Sequence, residues 1–388
     1  MRFRPSIIAK LLEPLNRRQF TAIVDRHGGD AGVKSFTTWD HLVVLVFAQF
    51  SAAEGLRGLE AAWNANRQHH YHLGTGTIAR STLADANKTR PANIFAEAFA
   101  LIAGLLDRTM RKEGRAMLQL IDSTPIPLGK LCDWAKSNGR IRGMKVHVVY
   151  DPDTDQPRLI AITDANVNDA EIGRTIIIVP GATYVFDKGY CHYGWWRAIA
   201  AAGSFFVTRP KSNMGLTLVE KRPLAATQGD GFSVLEDAEV RFSSKGDSKL
   251  PIRLRRIKLK RHEGGGTIDL LTNDMQRSAV EIAALYKSRW QIELFFRWLK
   301  QHLRIRKFLG NNENAIRLQI IAAMIAYALV RIAARMHRCT IPILRFVDLV
   351  AQCVFDRRDI ARIDKPPPVN AGRRRSRSTP GQYELCYG

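Results

Sequence analysis

The sequence predicts an α/β fold: a mixed sheet with helices on its faces, an all-helical region ahead of it and a β-rich insertion within it. Three observations carry this. Up to about residue 114, apolar residues recur at helical spacing. Short β-like runs then alternate with helical ones, in the order three strands, helix, strand, helix, strand. From 210 to 273 the texture turns polar and β-rich, and helical patterns return until about Val354.

In the first region, Thr37 or Thr38 is placed to cap one run through "WDHLVVLVFAQFSAAEGLRGLEAAW". His69 and His70 read as an exposed loop, and no metal is assigned to them. Ser81 is placed to cap "STLADANKTR", which Pro91 ends, and "NIFAEAFALIAGLLDRTMR" is a further helix. "AMLQLIDST" is the first strand and ends at Asp122. "MKVHVVYD" and "PRLIAITDA" flank the hairpin-length turn "PDTDQ". "NDAEIGRTI" reads as a short helix, and "ATYVFDKGY" as a strand ending at Asp187. "GWWRAIAAAG" is a helix closed by Gly203, with Trp195 and Trp196 in the core, and "SFFVTR" is the next strand. The insertion contributes "FSVLEDAEVRF", "IRLRRIKLK" and "TIDLLTN". The end, "KPPPVNAGRRRSRSTPGQ", is Pro-, Arg- and Ser-rich, so 365–388 reads as a basic disordered tail.

A chain of 388 residues with 46% hydrophobic and 24% charged residues has ordinary globular composition and length for two or three domains. Its charge is not ordinary. There are 59 Lys+Arg against 36 Asp+Glu, a formal net charge of +23. Such an excess favours a polyanionic partner, nucleic acid first and an anionic membrane second. The most apolar run, "IIAAMIAYALV" (Ile320 to Val330), is shorter than the ~20 residues a spanning helix needs. The start, "MRFRPSIIAKLLEP", lacks a signal-peptide core. The five cysteines have no CxxC spacing, which argues against a zinc site and a disulfide framework and fits a reducing cytoplasm.

"YKSRWQIELFFRWLKQHL", Tyr286 to Leu303, carries the chemistry. On a helix with Tyr286 at zero, Arg289, Glu293 and Lys300 fall at about 300°, 340° and 320°. Leu285, Ile292, Phe295, Phe296, Leu299 and Leu303 form an adjacent apolar stripe at about 180–280°. The segment can bury one flank and present one carboxylate in a cationic, hydroxyl-bearing line. The plainer alternative is a solvated face with an i,i+4 pair between Arg289 and Glu293. Asp122 and Asp187 each follow an apolar strand, where open α/β sheets place their sites, although strand-end aspartates also serve as turn or cap residues. Two such aspartates and one helical glutamate offer oxygen ligands to two Mg²⁺ ions, the arrangement that phosphoryl transfer uses.

The spacing Tyr-x2-Arg-x3-Glu-x6-Lys resembles the signature of bacterial DDE transposases of the insertion-sequence-four type. "IDST", "GMKVHVVYD", "NVNDAE", "VFDKGY", "FVTRPK" and "KQHLRIRKFLGNNENAIRLQI" are similar to segments of that family, in its order. "RSTLADANKTRP" is similar to a segment ahead of the catalytic domain in one branch. The resemblance implies a ribonuclease-H-like mixed sheet from about 115 to 350 with the insertion at about 210–273 inside it. A helical DNA-binding region at 1–90 and a helical connection at 91–114 precede it. It implies Mg²⁺ or Mn²⁺, two ions, held by Asp122, Asp187 and Glu293. Tyr286, Arg289 and Lys300 would contact DNA phosphates. Lys145 and Lys188 are further candidates for DNA, Lys188 being equally placed to pair with a carboxylate. The implied partners are double-stranded DNA, as inverted repeats and as target, and a second copy of the chain; the implied place is the bacterial cytoplasm at the nucleoid. Relatives excise through a DNA hairpin with a base moved out of the stack. Here the insertion has no tryptophan to receive that base, and His192 stands where relatives often have an acid. His147 is placed either to assist the site or to serve as a structural hydrogen-bonding residue. Two other readings are a nuclease of the same fold that never joins strands and a decayed relative that binds DNA as a repressor.

Overall fold

A computed structural model describes residues 5–112, 117–224, 226–242, 252–302 and 308–365. Most of the basic tail therefore lies outside the described residues, as do Leu303, the last residue of the signature segment, and 304–307 after it.

The N-terminal region is helical: α1 (Ile7–Leu12), α2 (Arg17–Arg26), α3 (Thr38–Phe50), α4 (Gly55–Asn64), α5 (His70–Leu73), α6 (Arg80–Thr89) and α7 (Ala92–Lys112). Thr37 caps α3 in a reciprocal box with Asp40, each side chain meeting the other's backbone N–H. The run predicted beyond Phe50 is not one helix. α3 and α4 meet at 102° across Ser51–Glu54, where Ser51 is extended and Gly55 has φ +72°. α6 begins one residue before Ser81, with Ala79 at its cap and no side-chain cap bond. Its phase is set by packing instead, because Leu83, Ala86 and Asn87 face inward. His69 and His70 are not an exposed loop: His70 is buried and stacks 4.4 Å from Trp63, and His69 stacks on Phe355.

The strands are β1 (Leu118–Pro127), β2 (Gly143–Asp151), β3 (Gln156–Asp164), β4 (Thr183–Phe186), β5 (Phe205–Thr208), β6 (Leu216–Lys221), β7 (Gln228–Gly229), β8 (Phe232–Phe242), β9 (Leu254–Arg261) and β10 (Thr267–Thr272). They form one sheet in the order β3-β2-β1-β4-β5-β10-β9-β8-β6, with β7 paired to β8. β1, β4 and β5 run parallel, and β2 and β3 add an antiparallel edge. The β-rich insertion is continuous with the core, because β10 pairs with β5. α8 (Asp169–Gly173) and α9 (Tyr193–Ala201) connect the parallel strands. Trp195 and Trp196 on α9 are buried, and Trp196 stacks on Phe206.

The C-terminal helices are α10 (Ala279–Ser288), α11 (Trp290–His302), α12 (Glu313–Met336) and α13 (Ile343–Gln352). α12 is longer than its apolar run suggests: by length and composition it is able to cross a membrane. However, 89% of its most apolar window is buried inside the protein. It packs against α7, α3, α6 and β3, so one apolar core runs from the N-terminal helices to the sheet. That burial accounts for its apolarity.

Candidate active site

Asp122 does not end its strand. β1 continues to Pro127 because β2 pairs with it along that length. What stops at this level is the parallel neighbour: Ile121 pairs with Phe186, the last residue of β4. Asp122 and Asp187 are thus the next residues on two adjacent parallel strands. Past Asp187 the chain turns through one 3-10 turn, Lys188–Tyr190. The sheet alone places these two carboxylates at one end of the parallel core.

The third acid arrives from the helices, which are not a single rod. α10 starts with a capping box between Ser278 and Glu281 and ends at Ser288. Arg289 forms the joint, its N–H reaching back three residues to the Tyr286 carbonyl, and α11 starts at Trp290. The helical pattern is thus interrupted at Arg289, the fourth residue of the segment, whose own backbone stays right-handed helical, and the polar residues converge. Arg289 donates from one guanidinium nitrogen to Asp122 Oδ2 at 2.9 Å and from the other to Glu293 Oε1 at 2.6 Å. Its guanidinium lies 5.7 Å over the Tyr286 ring. The Tyr286 hydroxyl points at Asp187 Oδ1 from 3.5 Å, a long contact. The predicted pair of Arg289 with Glu293 exists, but it is tied to the sheet rather than lying on a solvated face.

The electrostatics match this geometry. Burial pushes the Asp122 carboxyl up to about 6. Arg289 and the Ser123 N–H oppose the rise, while the like charges of Glu293 and Asp187 add to it. Arg289 is half-buried. Burial works against its charge, but Asp122, Tyr286 and Glu293 outweigh burial and hold its pKa above the ordinary value. Its Nε is buried with no hydrogen-bond partner among the described residues.

Lys188 is exposed beside Asp187, and Lys300 is half-buried, seven residues beyond Glu293. Lys145 is turned inward, where its ammonium meets Asp169 Oδ1 at 2.6 Å and the Val167 carbonyl at 2.5 Å. His147 is buried; its ring meets the Tyr190 hydroxyl at 2.9 Å and Thr163 Oγ1 at 3.0 Å. Burial lowers its pKa to about 4, so the ring is neutral at pH 7. Asp169, Ser123 and Tyr190 were not singled out by the sequence. Their only signal was that "NVNDAE", "IDST" and "VFDKGY" belong to the family-like segments.

Asp122, Asp187 and Glu293 offer only carboxylate oxygens, the donors a hard divalent cation takes. Among the described residues no three acidic, His or Cys side chains are gathered as a ready metal cluster. The space between Asp122 and Glu293 is filled by the Arg289 guanidinium, which neutralises them in its place. The donor chemistry fits a cation, provided that Arg289 moves.

A family model described as "Transposase DDE domain" matches residues 113–329, and one described only as a domain of unknown function matches residues 4–76. The chain is 70% identical over 305 residues to "Putative transposase y4zB" of Sinorhizobium fredii (strain NBRC 101917 / NGR234), covering 79% of this chain and 85% of that one. It is 31% identical over 254 residues to "Probable transposase for insertion sequence element IS5377" of Geobacillus stearothermophilus, covering 65% of this chain and 66% of that one. The cryo-EM structure of piggyBac transposase synaptic complex with hairpin DNA is a looser likeness, with TM-score 0.48, 9% identity, and 94% of this chain and 83% of that one covered. The chain belongs to the DDE transposase family, in its bacterial insertion-sequence branch.

Proposed function

We propose that Asp122, Asp187 and Glu293 are the catalytic acids of this transposase, holding two Mg²⁺ or Mn²⁺ ions, and that Tyr286, Arg289, Lys300 and Lys188 meet DNA phosphates beside them. The reaction is hydrolysis of a phosphodiester at the end of the element, in which water oxygen attacks phosphorus and the freed strand leaves as a 3′-OH. That 3′-OH then attacks a phosphodiester of the target, and the target's own 3′-oxygen leaves. The bound ions would neutralise charge on the reacting phosphate and lower the pKa of the attacking oxygen. Residues of the chain do the rest. Arg289 gives up its two carboxylates for a phosphate, and the planar fork that now spans Asp122 and Glu293 suits phosphate oxygens equally well. The Tyr286 ring keeps the guanidinium over the site during that exchange. The helices of 1–90 would bind the inverted repeats, with two copies of the chain bridging two ends, in the cytoplasm where the DNA lies.

The observation that supports this reading is the sharing of one guanidinium by Asp122 and Glu293, with Asp187 at the equivalent position of the next strand. Incubating the protein with Mg²⁺, DNA bearing the element's ends and a target plasmid tests it. Cut 3′-OH ends together with joined products are expected. Cut ends never joined would indicate a nuclease, and tight binding without cutting would indicate a decayed repressor.

A further inference from the structure

One carboxylate outside the trio touches the neighbours of both aspartates. Asp169, the first residue of α8, accepts from Ser123 Oγ at 3.3 Å and from Lys145 Nζ at 2.6 Å. Ser123 follows Asp122, and its N–H donates to Asp122 Oδ1 at 2.8 Å. On its other side Asp169 lies against the turn that follows Asp187. A Cβ added to Gly189 would stand 3.1 Å from Asp169 Oδ2, so a glycine lets the turn close on the carboxylate. The same turn is fixed once more by Tyr190, whose hydroxyl bonds Ser123 and meets His147 Nδ1 at 2.9 Å.

We infer that Asp169 is a positioning residue that ties Ser123 to the Lys188–Tyr190 turn and so sets the separation of Asp122 and Asp187. This rests on the proposed acidic trio and deepens it. The Asp169–Lys145 pair is mostly buried, with side chains 24% and 14% exposed. Such pairs add little net stability, because desolvation offsets the attraction. Its effect is geometric: without it, Ser123 Oγ and Lys145 Nζ lose their common acceptor, and α8 keeps only the packing of Gly173 against Tyr190. Lys145 is committed here, inside the protein, rather than to a DNA phosphate.

The test is Mn²⁺ titration of the full chain by calorimetry, with end-DNA binding and the thermal unfolding midpoint measured on the same samples. Asp169→Leu should weaken Mn²⁺ binding roughly ten- to a hundredfold, the usual effect of losing a carboxylate's supporting contacts. End binding should stay near wild type, while the midpoint falls because Lys145 is left buried without its carboxylate, so Mn²⁺ binding is read well below that midpoint. Asp169→Asn, whose amide oxygen still accepts from Lys145 while its NH2 donates to Ser123 Oγ, should recover most of the affinity. Should Asp169→Leu fail to fold, Ser123→Ala replaces it, with a several-fold loss expected. Wild-type affinity in Asp169→Leu or in that substitute overturns the inference, as does an Asn variant no better than Leu. Asp187→Ala separates the two levels. If it loses Mn²⁺ while Asp169→Leu does not, only the positioning role falls. If it binds Mn²⁺ like wild type, the trio falls and takes the positioning role with it.

Discussion

Arg255 holds a buried ion pair outside the site. Its Nε and Nη2 donate to the two oxygens of Asp237 at 2.7 and 2.6 Å, joining β9 to β8. Its Nη1 reaches the carbonyls of Asp274 and Arg277 at 3.1 and 2.6 Å, in the segment leading into the Ser278 cap of α10. The two side chains are 2% and 4% exposed. Arg255→Met leaves a buried Asp237 carboxylate whose remaining cation, Arg222, is 3.9 Å away. Breaking such a pair costs about 3–5 kcal/mol, and the freed carbonyls place the expected loss toward the upper end. With a urea slope on the order of 3 kcal/mol/M, the unfolding midpoint should fall by roughly 1–2 M. Arg255→Met combined with Asp237→Leu removes both charges and should recover at least half of the loss. Urea unfolding followed by circular dichroism reads both variants. A single variant within ~1 kcal/mol of wild type, or a double variant below the single, would refute the reasoning.

Three further outcomes are expected. His41, buried and donating from Nε2 to Asn87 Oδ1 at 2.8 Å, has its pKa lowered to about 3, chiefly by burial. The unfolded chain protonates near the ordinary value of about 6.5, so stability is full above that pH and declines as pH falls toward 3. The contribution between pH 7 and 5 is about 2 kcal/mol, and His41→Gln should flatten the acid limb of the denaturation profile by that amount. Asp187→Ala should lower cleavage on the order of a thousandfold or more while end binding stays nearly intact, as gel-shift and cleavage assays on one preparation would show. Unchanged cleavage would remove Asp187 from the site. Affinity for end DNA should drop steeply between low and physiological salt, by roughly a thousandfold if about six phosphates are neutralised. A flat salt titration would contradict phosphate-dominated binding.

The chemistry of the site was more legible than its scaffolding. Tyr286, Arg289, Glu293 and the two aspartates, singled out from residue type, spacing and the family resemblance, come together in the fold. The capping box at Thr37 was legible locally. The bend before α4 had a weak local sign, Gly55 at positive φ. The joint at Arg289 had none, since neither glycine nor proline marks it. There the helix yields to two long-range contacts, with Asp122 167 residues away and Asp187 99 residues from Tyr286. The joining of the insertion to the core sheet was equally hidden, because the pairing of Leu271 with Thr208 is a property of the assembled sheet. Lys145 was a candidate for DNA because its partner, Asp169, lies 24 residues on, across a turn and a strand. The apolar run in α12 was read as too short to span a bilayer, because polar residues toward the ends of the helix interrupt it and mask how much of the helix the core covers.

The most direct measurement replaces Mg²⁺ with Fe²⁺ and lets hydroxyl radicals, formed with ascorbate and peroxide, cut the polypeptide beside the bound ion. Cuts grouped around residues 122, 187 and 293, and abolished by excess Mg²⁺, are predicted. Cuts confined to other segments, or insensitive to Mg²⁺, would contradict the assignment of these three acids to one cation centre.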